Sequence, residues 1–260
     1  MSPALLPAYR LSLAVAFLAA AAALAGLLFP EVVYPTDELR QAFVPNDAVT
    51  LALGLPALLG LLYFARRGSL AGLLLWPGAL LYVTYNSLAY ALALPQSLPG
   101  ALNAALVVMC VFSIARIFAG VNAADIQMRL RGNVHERLAG GVLTGLGSLF
   151  LLRGVAQVAG ALSGQIVLST PELAVSAADV LITPVWILGG IWLWRRQGRG
   201  YVWGVAALFQ ASLLFAGLLV LFALQPVLLG IPFAAVDFVV IFSMGLVVFI
   251  PCGLFIRALL

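Results

Sequence analysis

Four polar side chains interrupt one long apolar run of this chain: Tyr82, Tyr85, Asn86 and Tyr90, within the stretch LLYVTYNSLAYAL. Positions 82, 86 and 90 recur every four residues and position 85 adjoins them, so on a helix all four lie on one face. Polar groups inside apolar runs usually face the interior of a helix bundle. The pattern predicts a polar and aromatic wall for a ligand or, as the alternative, an interhelical hydrogen-bond seam with one interfacial tyrosine.

Arg153 and Gln157 stand one helical turn apart in a second apolar run. An arginine at this depth needs an acidic partner or a water-filled cavity. Asp179 is the favoured partner, ahead of Asp47 and Asp237, because the pair would join two adjacent helices. Such a pair acts either as a structural clamp or as part of an anion-accepting pocket. The predicted ligand-binding residues are therefore Tyr82, Tyr85, Asn86, Arg153, Gln157 and Asp179.

Several kinds of chemistry are disfavoured because the residues for them are missing. His135 is the only histidine, so histidine-ligated haem or zinc and a histidine-based hydrolase dyad within the apolar runs lack a ligand or a base. All thirteen basic residues are arginine, which excludes Schiff-base chemistry. Cys110 and Cys252 are isolated, and the His135-Glu136 pair beside arginines is interpreted as solvated. We expect no metal and no cofactor, and the residues argue against an enzyme more than for one.

The elements that carry these residues are predicted to be membrane-spanning helices. Of the 260 residues, 64% are hydrophobic and 8% are charged, whereas soluble domains have about 25% charged residues. A helix needs about 20 apolar residues to cross the hydrocarbon layer. The runs long enough are 11–29, 48–65, 70–94, 101–119, 139–162, 177–194, 201–224 and 236–258. The sequence predicts an all-α, polytopic transmembrane helix bundle of about eight spans, forming a single domain over residues 1–260.

The arginines lie in alternate connections between the runs, and this predicts the orientation. The Arg66-Arg67 pair and residues 129–137 and 195–199 hold nearly all the loop arginines, whereas the opposite connections hold mostly acids. Because cytoplasmic loops retain basic residues, both termini are predicted to be cytoplasmic, in the inner membrane of a bacterium. Membrane lipids are the expected partners. Nucleic acid is not expected, because the arginines form no continuous basic stripe.

A repeated order of loops and turns suggests two halves, 1–119 and 139–260, joined by the cytoplasmic loop 120–138. Residues 56–67 resemble residues 184–196, since each segment runs from a proline to an Arg-Arg pair. An internal duplication would give two parallel four-helix repeats. The alternative is that short arginine turns recur in bacterial membrane proteins through the positive-inside rule alone.

The loop 120–138 has its own apolar spacing. Ile126, Leu130, Val134 and Leu138 recur every four residues beside three arginines. This spacing predicts a short helix on an anionic membrane surface, interrupted at Gly132. A solvated connector is the alternative.

Polar and small residues near the ends of runs suggest local roles. We predict that Asn46-Asp47, Asn103, Asp179 and Asp237 cap the helices that they begin, with a cation-attracting vestibule as the alternative. The Gly141 and Gly145 pair predicts a close approach by a neighbouring helix.

The runs WPGALLYVTYNSLAYALALP and DVLITPVWILGGIWLWRRQGRGYVWG resemble segments of uncharacterised bacterial multi-span membrane proteins. The resemblance implies a membrane protein and no particular activity. The favoured hypothesis is a transporter-like protein that binds a small molecule or lipid in an outer-half pocket. The alternatives are an accessory subunit that docks on other membrane subunits, and an intramembrane enzyme that modifies lipids with carboxylates and arginine.

Overall fold

The computed structural model describes residues 3–259. Besides the short helical segments Pro3–Leu5 and Pro30–Val33, these residues form eight long helices and one helix of eight residues. In chain order they are α1 (Leu6–Leu28), α2 (Asp37–Arg66), α3 (Leu70–Ala93), α4 (Leu98–Gly120), α5 (Ala123–Leu130), α6 (Glu136–Leu162), α7 (Thr170–Trp194), α8 (Gly198–Leu229) and α9 (Ala235–Leu259). Helix α2 contains a π-helical segment, Thr50–Gly54. Residues 3–259 contain no β-strand.

The predicted bundle of about eight spans is confirmed as an all-α fold. Within the described residues, seven helices are long and apolar enough to cross a membrane. Helix α3 is the eighth long helix, and its 24 residues include the polar group around Asn86. Seventeen of those residues are buried, so the other helices surround α3 and shield its polar face. The polar face of α3 therefore lies mostly inside the bundle.

Helices α3 and α8 pack against each other in the middle of the bundle. Helix α3 also contacts α2, α4 and α7, and α8 also contacts α7, α9 and α2. Helix α1 closes the first side by packing on α4 and α2, and α6 closes the second side by packing on α7 and α9. The contacts of α1–α4 thus parallel those of α6–α9, although the internal duplication stays a prediction.

Because the long helices run antiparallel, the bundle has two ends with different residues. The end that we call the arginine end holds the connections 67–69, 121–135 and 195–197, and there Gln127 Nε2 donates to the carbonyl oxygen of Arg196 at 2.7 Å. The opposite end, which we call the tyrosine end, holds the connections 29–36, 94–97, 163–169 and 230–234. Tyr34, Phe43 and Tyr90 form one buried cluster there.

The helices at the tyrosine end begin earlier than the apolar runs do, so the predicted N-caps are wrong for Asn46-Asp47, Asn103 and Asp179. The side chains that cap α2, α4 and α7 are those of Thr36, Ser97 and Ser169. Ser169 forms a full capping box with Glu172. Asp47, Asn103 and Asp179 lie inside their helices and are buried. Their polar groups consequently face other helices.

The cytoplasmic loop of the prediction contains the short helix α5, which Gly132 ends with a positive φ of 85°. Its apolar residues Ile126 and Leu130 are buried, as is Val134. They pack in one cluster with residues at the start of α3 and in α8. The predicted helix is therefore confirmed, but its apolar side rests on the protein itself.

Glu136 is a buried residue, so its interpretation as half of a solvated pair is wrong. Only 3% of it is exposed. Tyr201 Oη donates to Glu136 Oε1 at 2.9 Å, and the Gly132 amide donates to the same oxygen at 3.1 Å. Arg196 Nη2 lies 3.6 Å from Glu136 Oε2. These contacts connect Glu136 and the loop before α6 to α8 and to the turn between α7 and α8.

Glycines allow α6 to pack closely on α7, but the glycines in contact are not the predicted pair. A Cβ atom on Gly140 would lie 2.6 Å from the carbonyl oxygen of Gly190, so the two backbones touch. A Cβ atom on Gly141 would meet only the ring of Trp194, and one on Gly145 would have nothing within 4 Å. The predicted close approach at Gly145 is wrong, because this residue faces outward.

The two glycines provide a matched test of this packing. Gly140→Ala is expected to lower the free energy of unfolding by about 1–3 kcal/mol, because the backbone of α7 cannot yield to the new methyl group. Gly145→Ala adds the same methyl group in open space and should leave stability unchanged or raise it slightly. Apparent thermal midpoints in one detergent measure both. Equal midpoints for the two variants would contradict the backbone contact.

Candidate functional site

Asp47 is the centre of a buried polar cluster at the tyrosine end. It lies on the same face of α2 as Leu39 and Phe43 and is 3% exposed. Tyr34 Oη donates to Asp47 Oδ2 at 2.6 Å, and Tyr90 Oη donates to Asp47 Oδ1 at 2.8 Å. One carboxyl group therefore ties together the α1–α2 connection, α2 and α3.

Two asparagines extend this cluster. Asn46 Nδ2 donates to Tyr90 Oη at 3.0 Å and to Asn86 Oδ1 at 3.2 Å. Asn86 in turn donates to the carbonyl oxygen of Tyr82 at 3.1 Å. The ring of Phe43 stacks on that of Tyr90, with the ring centres 4.3 Å apart. Hydrogen bonds and ring packing thus fix the orientation of every donor around Asp47.

The Tyr34 hydroxyl is held as a donor. Tyr34 lies in the connection before α2 and is almost completely buried. Burial raises the pKa of Tyr34 above its ordinary value, and the adjacent Asp47 raises this pKa further. Both effects oppose loss of the phenolic proton. Tyr34 therefore remains a neutral hydrogen-bond donor to Asp47.

Helix α1 reaches the same cluster through Gly26. A Cβ atom on this residue would overlap Asp47 Oδ2 and would lie 2.6 Å from Tyr34 Oη. Only glycine lets the backbone of α1 come this close to the carboxyl group. The cluster is therefore built from α1, α2, α3 and the connection that contains Tyr34.

A cavity of about 510 Å³ adjoins Asp47 and lies between α1, α2, α3 and α4. Its polar lining comes from Tyr34, Asp47, Thr50, Tyr82, Asn86, Ser87, Tyr90, Ser97 and Asn103. Its apolar lining comes from Ala19, Ala22, Ala23, Ala25, Val32, Val33, Val83, Leu98, Pro99, Leu102 and Leu106. Val32 and Leu98 are 82% and 85% exposed and mark its opening at the tyrosine end.

The π-helical segment of α2 borders this cavity. Leu55 N donates to the carbonyl oxygen of Thr50, five residues earlier, and Thr50 lines the cavity. A Cβ atom on Gly54 would lie 2.7 Å from the ring of Tyr82. Such segments are rare and often occur at functional sites. Here the segment turns Thr50 and Asp47 towards the cavity while Gly54 makes room for Tyr82.

A smaller cavity of about 150 Å³ lies on the other side of α3. Asn46, Tyr82, Tyr85, Asn86 and Tyr90 supply its polar lining. Tyr82, Asn86 and Tyr90 thus line both cavities. The predicted polar face of α3 is therefore divided between two spaces.

The other predicted residues form a separate contact between α3, α6 and α7. Tyr85 Oη donates to Asp179 Oδ1 at 2.9 Å, and Arg153 Nη1 lies 4.0 Å from Asp179 Oδ2. Gln157 Oε1 accepts a hydrogen bond from Ser176 at 2.8 Å. Arg153, Gln157 and Asp179 line neither cavity. The expected Arg153–Asp179 pair is present and joins α6 to α7, and a ligand-binding role for these three residues stays a prediction.

Sequence reasoning missed the central part of the site. Tyr34 lies between apolar runs and carries no periodic signal of its own. Asp47 directly precedes the apolar run 48–65, and this position favours a helix cap. A usable signal was nevertheless present, because Leu39, Phe43 and Asp47 recur every four residues. Extending the helix backward on that spacing places Asp47 on its buried face.

Removing one hydroxyl group tests the cluster. Tyr90→Phe leaves Asp47 with a single tyrosine donor and deprives Asn46 of an acceptor, so we expect a loss of about 1–3 kcal/mol in the free energy of unfolding. Tyr63→Phe, on the exposed side of α2, should change it by less than about 0.5 kcal/mol. Apparent thermal midpoints give the comparison. A Tyr90→Phe protein as stable as the Tyr63→Phe control would show that the Tyr90 bond to Asp47 contributes nothing.

The cavity lies between the apolar residues of α1 and α4 and the polar groups around Asp47 and Asn86. Within residues 3–259, no three potential metal-ligating side chains lie together. Neither models of protein families, nor curated proteins, nor solved structures match the chain, so its function has to be inferred from its own contacts and cavities.

Proposed function

We propose that this integral membrane protein binds a small amphiphilic molecule in the cavity between α1 and α4, as the binding step of a transporter-like activity. The cavity itself is the observation that carries the proposal. At about 510 Å³ it falls within the roughly 300–1,000 Å³ typical of ligand sites. It is mostly apolar, with its polar groups gathered around Asp47 and Asn86.

The apolar part of the cavity exists because α1 contributes small side chains. Ala19, Ala22, Ala23 and Ala25 face it from α1, and they leave open a space that leucines would fill. Protein interiors are normally packed without such spaces. If the protein were an accessory subunit whose polar residues only join helices, we would expect a bundle without cavities. The open space at α1–α4 supports ligand binding instead.

A third cavity, of about 340 Å³, supports a transporter-like role. It lies at the arginine end of the same helices and is lined by Leu5, Trp76 and Asn122, among others. Between this cavity and the one that adjoins Asp47, Trp76 Nε1 donates to Ser12 Oγ at 3.1 Å, and Cys110 is completely buried. Two cavities separated by one packed layer suit a protein that opens alternately to each side of a membrane.

The arginines support an orientation with the arginine end in the cytoplasm. The connections 67–69, 121–135 and 195–197 and the helix ends beside them carry most of the loop arginines. In the inner membrane of a bacterium, the larger cavity would then open at the outer surface. Its exposed rim residues Val32 and Leu98 are apolar, so a ligand would enter from the membrane interface.

Two neighbouring alanines provide the test. A photoreactive decanol that carries a diazirine in its chain should label residues of α1 and α4 in purified protein, and excess decanol should suppress the labelling. Ala22→Phe fills the cavity and should reduce the suppressible labelling by about tenfold or more. Ala21→Phe adds the same ring on the exposed side of α1 and should retain it. Labelling that decanol cannot suppress, or that Ala22→Phe leaves intact, would overturn the proposal.

A further inference from the structure

The described residues include three buried acids, and Asp47 differs from the other two. Glu136 has Arg196 at 3.6 Å, and Asp179 has Arg153 at 4.0 Å. Within residues 3–259, Asp47 has no basic side chain within 4.0 Å, and its side-chain partners are the hydroxyl groups of two tyrosines. A buried carboxylate without a counter-charge is costly. The protein thus balances two of its three buried acids with arginine and leaves the third unbalanced.

The unbalanced acid is also the one that lines the large cavity. Asp47 is the only acidic residue in the lining of that cavity, and the lining contains no basic residue. A cationic ligand group would provide the missing counter-charge, whereas an anionic group would be repelled. The anion-accepting pocket considered for Arg153 therefore does not describe this cavity.

The rest of the lining suits a cation that is attached to an apolar chain. The rings of Tyr34, Tyr82 and Tyr90 line the cavity near Asp47. Aromatic rings attract ammonium groups through their π-electrons, most strongly where water is excluded. The alanines of α1 and the leucines of α4 offer an apolar wall beyond the rings. The same cavity therefore contains an acidic residue, aromatic rings and an apolar wall.

We infer that the cavity selects amphiphiles with an ammonium head group, which lies against Asp47 while the chain lies along α1 and α4. This inference rests on the proposed function, because it specifies the ligand of the same cavity. Neutral amphiphiles bind the apolar wall alone and are held more weakly. Anionic amphiphiles are excluded.

Three ligands that share one chain test the head-group preference. Decyltrimethylammonium, decanol and decyl sulfate are compared, below their micelle concentrations, for suppression of labelling by the photoreactive decanol. The protein is held in nanodiscs of zwitterionic lipid, so that the bilayer itself carries no net charge. We expect the ammonium compound to act at about tenfold lower concentration than decanol. Decyl sulfate should be ineffective.

Asp47→Asn removes the charge and keeps the size of the side chain. It should retain decanol-suppressible labelling while bringing the ammonium compound within about threefold of decanol. Asp237→Asn removes an exposed acid at the start of α9, outside the cavity, and should keep the full preference. This control separates the cavity from a general attraction of cations to acids at the tyrosine end.

The outcomes distinguish the inference from the proposed function. If the photoreactive decanol gives no suppressible labelling of the unmodified protein, the proposed function fails. If that labelling occurs but all three ligands suppress it equally, or Asp47→Asn keeps the ammonium preference, only the inference fails. Should Asp47→Asn not fold, the ranking of the three head groups on the unmodified protein still decides.

Discussion

The tyrosine end depends on one constraint, which is that the carboxyl group of Asp47 is buried and must have partners. Tyr34 and Tyr90 meet this requirement from the connection before α2 and from α3. Because Asp47 also touches α1 at Gly26, the position of α1 at this end follows from the same group. The opening of the cavity, between the α1–α2 connection and the start of α4, is thereby fixed as well.

Small residues serve opposite purposes in the two sides of the bundle. Between α6 and α7, Gly140 and Gly190 let two backbones touch. Along α1, the alanines that line the cavity are too short to fill the space towards α3 and α4. Glycines have no side chain, so two helix backbones can meet at them. The alanines lie opposite larger residues, whose side chains form the opposite wall of the cavity. The glycines therefore bring two helices into contact, whereas the alanines leave a space between helices.

The sequence allowed the number and type of long helices to be predicted, because apolar length is imposed by the thickness of a bilayer. The polar face of α3 and the partner of Arg153 could also be predicted, since in each case polar residues stand within apolar runs. Helices α2, α4 and α7 start before their apolar runs, because hydropathy marks membrane depth and not the first helical residue. Tyr82 and Asn86 line both cavities, whereas Asp179 lines neither. This difference depends on tertiary packing, which the spacing of residues within one helix does not contain.

The π-helical segment Thr50–Gly54 has a consequence for how the two parts of α2 are related. A π turn accommodates more residues than an α turn, so it changes the angular register of everything that follows. One residue corresponds to about 100° around a helix axis. Converting the segment to regular α-helix at the same chain length would rotate Asp37–Val49 against Leu55–Arg66 by about this angle. Asp47 would then leave the tyrosines, so the hydrogen bonds at one end of the bundle depend on the π turn in the middle of α2.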